Sequence, residues 1–149
     1  MDIWTEQLYR RHLPIVEHWL DRSAGALTPN DLPKEANQLS AWFEERAESD
    51  FLISVYETPV GVSGFRDNEF YLFLGETGYN FVRTATYATL RMLDHAFMTF
   101  DSVYAYVYKN RHEYLSVLNT MGFTQLGEEN GLIMVSVQKP EFQSRKHLF

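Results

Sequence analysis

Residues 69–97 constrain the fold of this chain more than any other stretch. They read Glu-Phe-Tyr-Leu-Phe-Leu-Gly-Glu from position 69 and Thr-Gly-Tyr-Asn-Phe-Val-Arg-Thr from position 77, then run from Ala85 to Phe97. The first piece is aromatic and aliphatic with no breaker before Gly75, which predicts a buried strand. In the last piece Ala85, Ala88, Met92, Leu93, Ala96 and Phe97 recur at helical spacing and form one apolar stripe. A short loop between them delivers the chain into the helix N-terminus. Free backbone N–H groups and the positive end of the helix dipole meet there, an environment that favours phosphate or another anion. The same pattern also serves as an ordinary strand–helix crossover with no ligand.

The 149 residues are enough for one domain with a proper core. Apolar residues make up 45% and charged residues 22%, the balance of a globular protein in water. Cysteine is absent, which excludes disulfides, thiol catalysis and thiolate metal sites. The five histidines show no metal spacing with each other or with carboxylates, so no metal is expected. A formal charge of −7 argues against nucleic acid as a partner and is compatible with cationic substrates such as amines. The N-terminus has no signal pattern and no apolar run approaches the roughly 20 residues of a membrane span. The expectation is a cytoplasmic protein with no membrane partner.

In chain order, residues 3–8 predict an exposed first strand. Leu13, Val16 and Leu20 are spaced for a helix over 12–21, with Pro14 in its first turn. Gly25, Pro29, Asn30, Asp31 and Pro33 mark residues 23–33 as a loop. A second helix over 35–47 would bury Leu39, Trp42 and Phe43 and expose Glu44, Glu45 and Glu48. Strands over 50–56 and 60–66 then lead through Asp67 and Asn68 into the central strand. Residues 102–109 alternate as an aromatic-rich strand. A short helix starting near Asn110 places Tyr114, Leu115, Leu118 and Met121 on one face and stops at Gly122. Strands over 123–128 and 132–139 form a hairpin around Glu129, Asn130 and Gly131. Residues 140–149 read as a tail.

This order of elements, the strand–loop–helix, and the ending Val-Leu-Asn-Thr-Met-Gly-Phe from Val117 to Phe123 resemble the GNAT superfamily of acyl-CoA-dependent N-acetyltransferases. The ribosomal-protein and aminoglycoside 6′-type branch is the most similar. Its helix start and helix end are matched by Ala85-Thr86-Tyr87-Ala88 and by Leu93 to Phe97, and its N-terminal segment by Leu13-Pro14 with Trp19-Leu20. The resemblance covers residues 1–139. It implies a mixed α/β domain whose mostly antiparallel sheet is splayed between the strands at 69–75 and 102–109, parallel neighbours through the crossover helix.

The resemblance also implies an acetyl-CoA donor and an amine acceptor. The family's diphosphate loop falls on Asn80, Phe81, Val82, Arg83, Thr84 and Ala85, with Thr86 following. Arg83 stands where the family carries a glycine. It either crowds the approach of backbone to the diphosphate or replaces it with a guanidinium–phosphate contact. Leu74, Gly75 and Glu76 would hold the pantetheine arm through backbone amides, and Asn110 lies near the family's CoA-contacting Asn. Glu69, eleven residues before Asn80, is the implied base, and Glu76 is a second carboxylate candidate. The family's thiolate acid position is Leu118, which leaves Tyr114, one turn earlier, as the candidate acid. The competing class is a non-catalytic acyl-CoA sensor or interaction protein, motivated by Asn80, Arg83 and Leu118. Acceptor recognition in such a fold falls on residues 23–39 and the last hairpin. An exposed edge strand is compatible with a homodimer.

Overall fold

A computed structural model of the chain describes residues 2–20, 26–29, 32–46, 49–76 and 80–149. Among these, the strands are β1 (Ile3–Gln7), β2 (Asp50–Val55), β3 (Thr58–Arg66), β4 (Glu69–Leu74), β5 (Ser102–Tyr108), β6 (Thr124–Glu129) and β7 (Leu132–Gln138). The α-helices are α1 (Leu13–Leu20), α2 (Leu39–Glu45), α3 (Phe81–Ala96), α4 (His112–Met121) and α5 (Lys139–Arg145). The strands form one sheet in the order β1-β2-β3-β4-β5-β7-β6. Every neighbouring pair is antiparallel except β4–β5, which is parallel because α3 carries the chain across between them.

Backbone chemistry sets the turns. Tyr56 and Asp67 take positive φ at the two turns of the β2–β3–β4 meander. Asn130 (φ 54°) and Gly131 (φ 78°) both lie in the left-handed region, the conformation a tight hairpin demands. Gly122 (φ 107°) ends α4, and the amides of Gly122 and Phe123 turn back to the carbonyls of Asn119 and Leu118 at 3.1 and 3.0 Å.

Strand alternation sends side chains to two cores. Phe70, Leu72 and Leu74 of β4 join Val103, Ala105 and Val107 of β5 under Ala85, Ala88, Met92 and Leu93 of α3 and the apolar face of α4. On the other face Tyr71 and Phe73 pack with Trp19, Leu39 and Trp42 from α1 and α2. A buried charge pair underlies this second core. Arg46 Nε and Nη2 donate to Asp50 Oδ2 and Oδ1, both at 2.9 Å, and the Tyr71 hydroxyl also donates to Asp50 Oδ1.

Three elements differ from the sequence expectation. Helix α3 starts at Phe81, a turn before Ala85, because Asn80 caps it: its side-chain oxygen accepts from Arg83 N at 3.3 Å. The expected helix over 35–47 is a 3-10 turn (Ala36–Gln38) followed by α2, in which Phe43 is only half-buried; Ala47 and Glu48 lie outside the described residues. Residues 140–149 are folded rather than a loose tail. Pro140 suits the first turn of α5, and Phe142 is buried with its ring 5.4 Å from that of Phe97. Phe142, Leu148 and Phe149 are the large apolar residues of this segment, too few and too unevenly spaced for a periodicity.

Candidate active site

The sheet splits at its centre. Strands β4 and β5 share a single register pair, Glu69 with Tyr104, supported by Tyr104 N donating to Asn68 O at 3.1 Å. Beyond that pair, Ala26 bridges antiparallel to Phe73, Leu27 O accepts from Tyr108 N at 3.1 Å, and Thr28 Oγ1 accepts from Leu72 N at 3.0 Å. A three-residue strap of the chain thus lies between the diverging strands, with Leu27 fully inside the larger core. It belongs to the stretch read as a plain loop over 23–33. Turn residues dominate that composition, and pairing to two distant strands leaves no local signature. Residues 23–25, 30 and 31 lie outside the described residues.

The two carboxylate candidates have different surroundings. Glu69 is half-buried at the apex of the split, on the same face as Tyr71 and Phe73. It faces the Tyr104 phenol, whose pKa is raised by burial first, then by the charge and hydrogen bonding of Glu69. Glu76 is tied into the scaffold: its Oε1 accepts from Trp19 Nε1 at 2.9 Å. The backbone amides of Gly75 and Glu76 donate to Val60 O at 2.7 and 3.2 Å, so they complete the β3 pairing and do not face the split. Gly75 is required because a Cβ there would overlap the Trp19 ring. Leu74 is core.

At the start of α3 the predicted donor-binding residues sort by helical phase. Arg83 is exposed, with its guanidinium 5.9 Å from the Tyr87 ring centroid, and Phe81 and Val82 are half-buried. Thr84, Ala85 and Thr86 are buried, and the Thr86 hydroxyl donates to Val82 O at 2.7 Å. Their side chains pack inside the fold. Asn80 uses its side chain as the cap, and Thr77, Gly78 and Tyr79 lie outside the described residues. Asn110 is exposed in the turn before α4. Its neighbour Arg111, which no sequence motif marked, is better placed. Its guanidinium lies 5.1 Å from the Phe81 ring centroid, and its Nε donates to Ala26 O at 3.1 Å. Arg111 therefore joins the strap to the N-terminus of α3, and with Arg83 gives this end of the split two guanidinium groups.

Tyr114, the candidate acid, is a core residue. Its hydroxyl lies 2.8 Å from Thr89 Oγ1, and the Thr89 proton is committed to Ala85 O at 2.7 Å, so Tyr114 donates to Thr89. Burial raises its pKa strongly. A phenol enclosed between α3 and α4 with its proton engaged is unsuited to protonating a thiolate in the split.

Among the described residues, no three His, Asp or Glu side chains converge as metal ligands would, and no helix is long and apolar enough to cross a membrane. A groove of about 630 Å³ lies between Gly122, Leu126, Glu141 and Arg145, away from the split.

A sheet divided between parallel central strands, with a crossover helix starting at the open end, is the fold of the GNAT acyltransferases. The sequence matches no protein-family model and no curated protein. The structure is similar to solved acetyltransferases. Spermidine N-acetyltransferase SpeG from Vibrio cholerae, in complex with CoA and spermine, aligns with a TM-score of 0.68 over 95% of this chain and 98% of that one, at 14% identity. Aminoglycoside acetyltransferase AAC(6')-Ib in complex with coenzyme A aligns with a TM-score of 0.77 over 97% and 99% of the two chains, at 10% identity. A domain from Methanocaldococcus jannaschii reaches 17% identity with a TM-score of 0.67, over 92% of this chain and 98% of that one. The fold implied by the resemblance over residues 1–139 is the fold observed.

Proposed function

We propose that this chain is an N-acetyltransferase that moves an acetyl group from CoA to a primary amine. The observation that carries the reading is the split between β4 and β5 with Glu69 at its apex. Likeness in fold to enzymes solved with CoA, one of them with spermine, supports it.

In this reading the donor's diphosphate lies at the start of α3, where an exposed Arg83 and the Arg111 guanidinium over Phe81 supply positive charge beside the helix dipole. The thioester reaches into the split from that end and the amine approaches from the tyrosine-bearing face. Glu69 takes the proton of the attacking ammonium, directly or through water. The neutral nitrogen then bonds to the thioester carbon, the carbon–sulfur bond breaks, and the proton that the nitrogen sheds as the amide forms passes to the departing thiolate, directly or through water. A thiol pKa of about 8.5 makes the departing thiolate a competent leaving group without a dedicated acid, so burial of Tyr114 is no obstacle.

The strap favours a second reading, an acyl-CoA-binding protein without turnover, because Ala26, Leu27 and Thr28 already bond to both edges of the split. A thiol-release assay with acetyl-CoA and an amine panel separates the two. The transferase reading expects amine-dependent thiol release that falls by about 10²–10⁴ in Glu69→Gln, the usual range for general-base catalysis. Donor binding with no release on any amine would leave the sensor.

A further inference from the structure

The two halves of the sheet are covered unequally. Helices α1 and α2 bury Tyr71 and Phe73 of β4, whereas on the same face of β5 Tyr104 and Tyr106 are half-buried and Tyr108 is 37% exposed. Their partners across the β5–β7 register are Ser136, Met134 and Leu132, so the open floor is phenolic and thioether in character. The Tyr104 and Tyr106 rings meet edge to face, with centroids 6.1 Å apart and planes at 86°. Negative charge sits at one end of this strip. Glu69 is in register with Tyr104, and the charge of Asp67 also acts on the Tyr104 phenol. Lys109, the cation that follows the strip, is paired with Glu128 at 2.7 Å.

Aromatic faces attract cations through the ring quadrupole, the more so when one side of the ring is shielded from water. A carboxylate at the end of the strip adds charge complementarity. A strand advances by about 3.3 Å per residue, so Tyr106 lies about 7 Å and Tyr108 about 13 Å along β5 from the level of Glu69. We propose that Tyr104, Tyr106 and Tyr108 form the acceptor floor and select a small di- or polycationic amine, one nitrogen held at Glu69 and a second, charged nitrogen resting on Tyr106 and Tyr108. The proposal rests on the transferase reading for the first nitrogen and on the tyrosine strip alone for the second.

The test compares an α,ω-diaminoalkane whose ends span that distance with the amino alcohol of equal length, which has one cation. With acetyl-CoA saturating, kcat/KM is expected to favour the diamine by about 10-fold, within the range of a partly desolvated cation–π contact. Tyr106→Leu and Tyr108→Leu should remove that preference, with the acetyl-CoA affinity and the melting temperature near those of the parent. Tyr106→Phe should keep it, because the ring and not the hydroxyl holds the cation. Equal kcat/KM for the two amines, or a preference that survives both leucine variants, would overturn the proposal. Calorimetric titration of the diamine into the CoA-saturated protein needs no turnover. Binding there that is lost in Tyr106→Leu upholds the cation site even where no acetyl group moves, a result that would refute only the transferase reading. Absence of diamine binding overturns the site itself.

Discussion

Trp19 Nε1 donates a hydrogen bond to Glu76 Oε1 at 2.9 Å, and this bond fixes the first helix to the end of β4. The indole is fully buried, so removal of its acceptor leaves a donor with no access to water. Glu76→Ala should cost about 1–3 kcal/mol in denaturant unfolding, the penalty for an orphaned buried group. Glu76→Gln keeps an acceptor and should retain most of that stability and of the acetylation rate. A rate loss in Glu76→Gln as large as that in Glu69→Gln would move the base from the apex of the split to its far end.

Tyr114 gives the complementary prediction. Tyr114→Phe removes one hydroxyl from the α3–α4 interface, while Thr89 keeps its bond to Ala85 O. The expected result is a loss of about 1 kcal/mol in stability with kcat unchanged. A fall in kcat of about 100-fold with the fold intact would make Tyr114 the thiolate acid after all.

The Arg46–Asp50–Tyr71 cluster holds α2 to the sheet. Asp50 is 3% exposed and Arg46 supplies the opposing charge through two 2.9 Å bonds. Arg46→Ala should destabilise the protein by about 3–5 kcal/mol, because it strands a buried carboxylate. Burial first, and the adjacent Asp50 charge second, push the Tyr71 phenol well above its ordinary value. Its contribution is therefore present below the unfolded pKa of about 10 and is lost as pH rises beyond it, when the unfolded chain ionises and the folded one does not. Unfolding followed from pH 8 to 11 should show that decline steepened relative to Tyr71→Phe.

His12 gives a prediction on the acid side. Its Nδ1 accepts from Tyr9 N at 2.9 Å, which requires the unprotonated nitrogen, and burial lowers its pKa against the opposing charge of Glu6. The unfolded chain therefore binds the proton first as pH falls. Stability should decline below about pH 6.5 and level off once the folded His12 protonates. An NMR titration placing the His12 midpoint above that of a free histidine would contradict this.

Patterns that live in one stretch of chain were legible in the sequence. The apolar run from Phe70 to Leu74, the stripe from Ala85 to Ala96 and the turn at Asn130 and Gly131 mark the central strand, the crossover helix and the last hairpin, while the split of the sheet is what the family resemblance implies. Less legible was everything decided by partners far along the chain. Glu69 and Glu76 both close a strand end in the sequence, yet one meets the Tyr104 phenol and the other the Trp19 indole. Tyr104, Tyr106 and Tyr108 read only as an aromatic strand, because alternation does not say which face a helix will leave open. Arg111 carried no motif, since its contacts with Ala26 and Phe81 lie 85 and 30 positions away.

Calorimetric titration of acetyl-CoA into the protein and into Arg83 variants tests whether an acyl-CoA binds with its diphosphate at the start of α3. Saturable one-to-one binding is expected, weakened in Arg83→Ala by about 1.5–3 kcal/mol, the range for a hydrogen bond to a charged group. Salt should weaken the parent more than the variant, since screening acts on an exposed ion pair. No binding to the parent, or an affinity unchanged in both Arg83→Ala and Arg83→Gly, would contradict that binding mode.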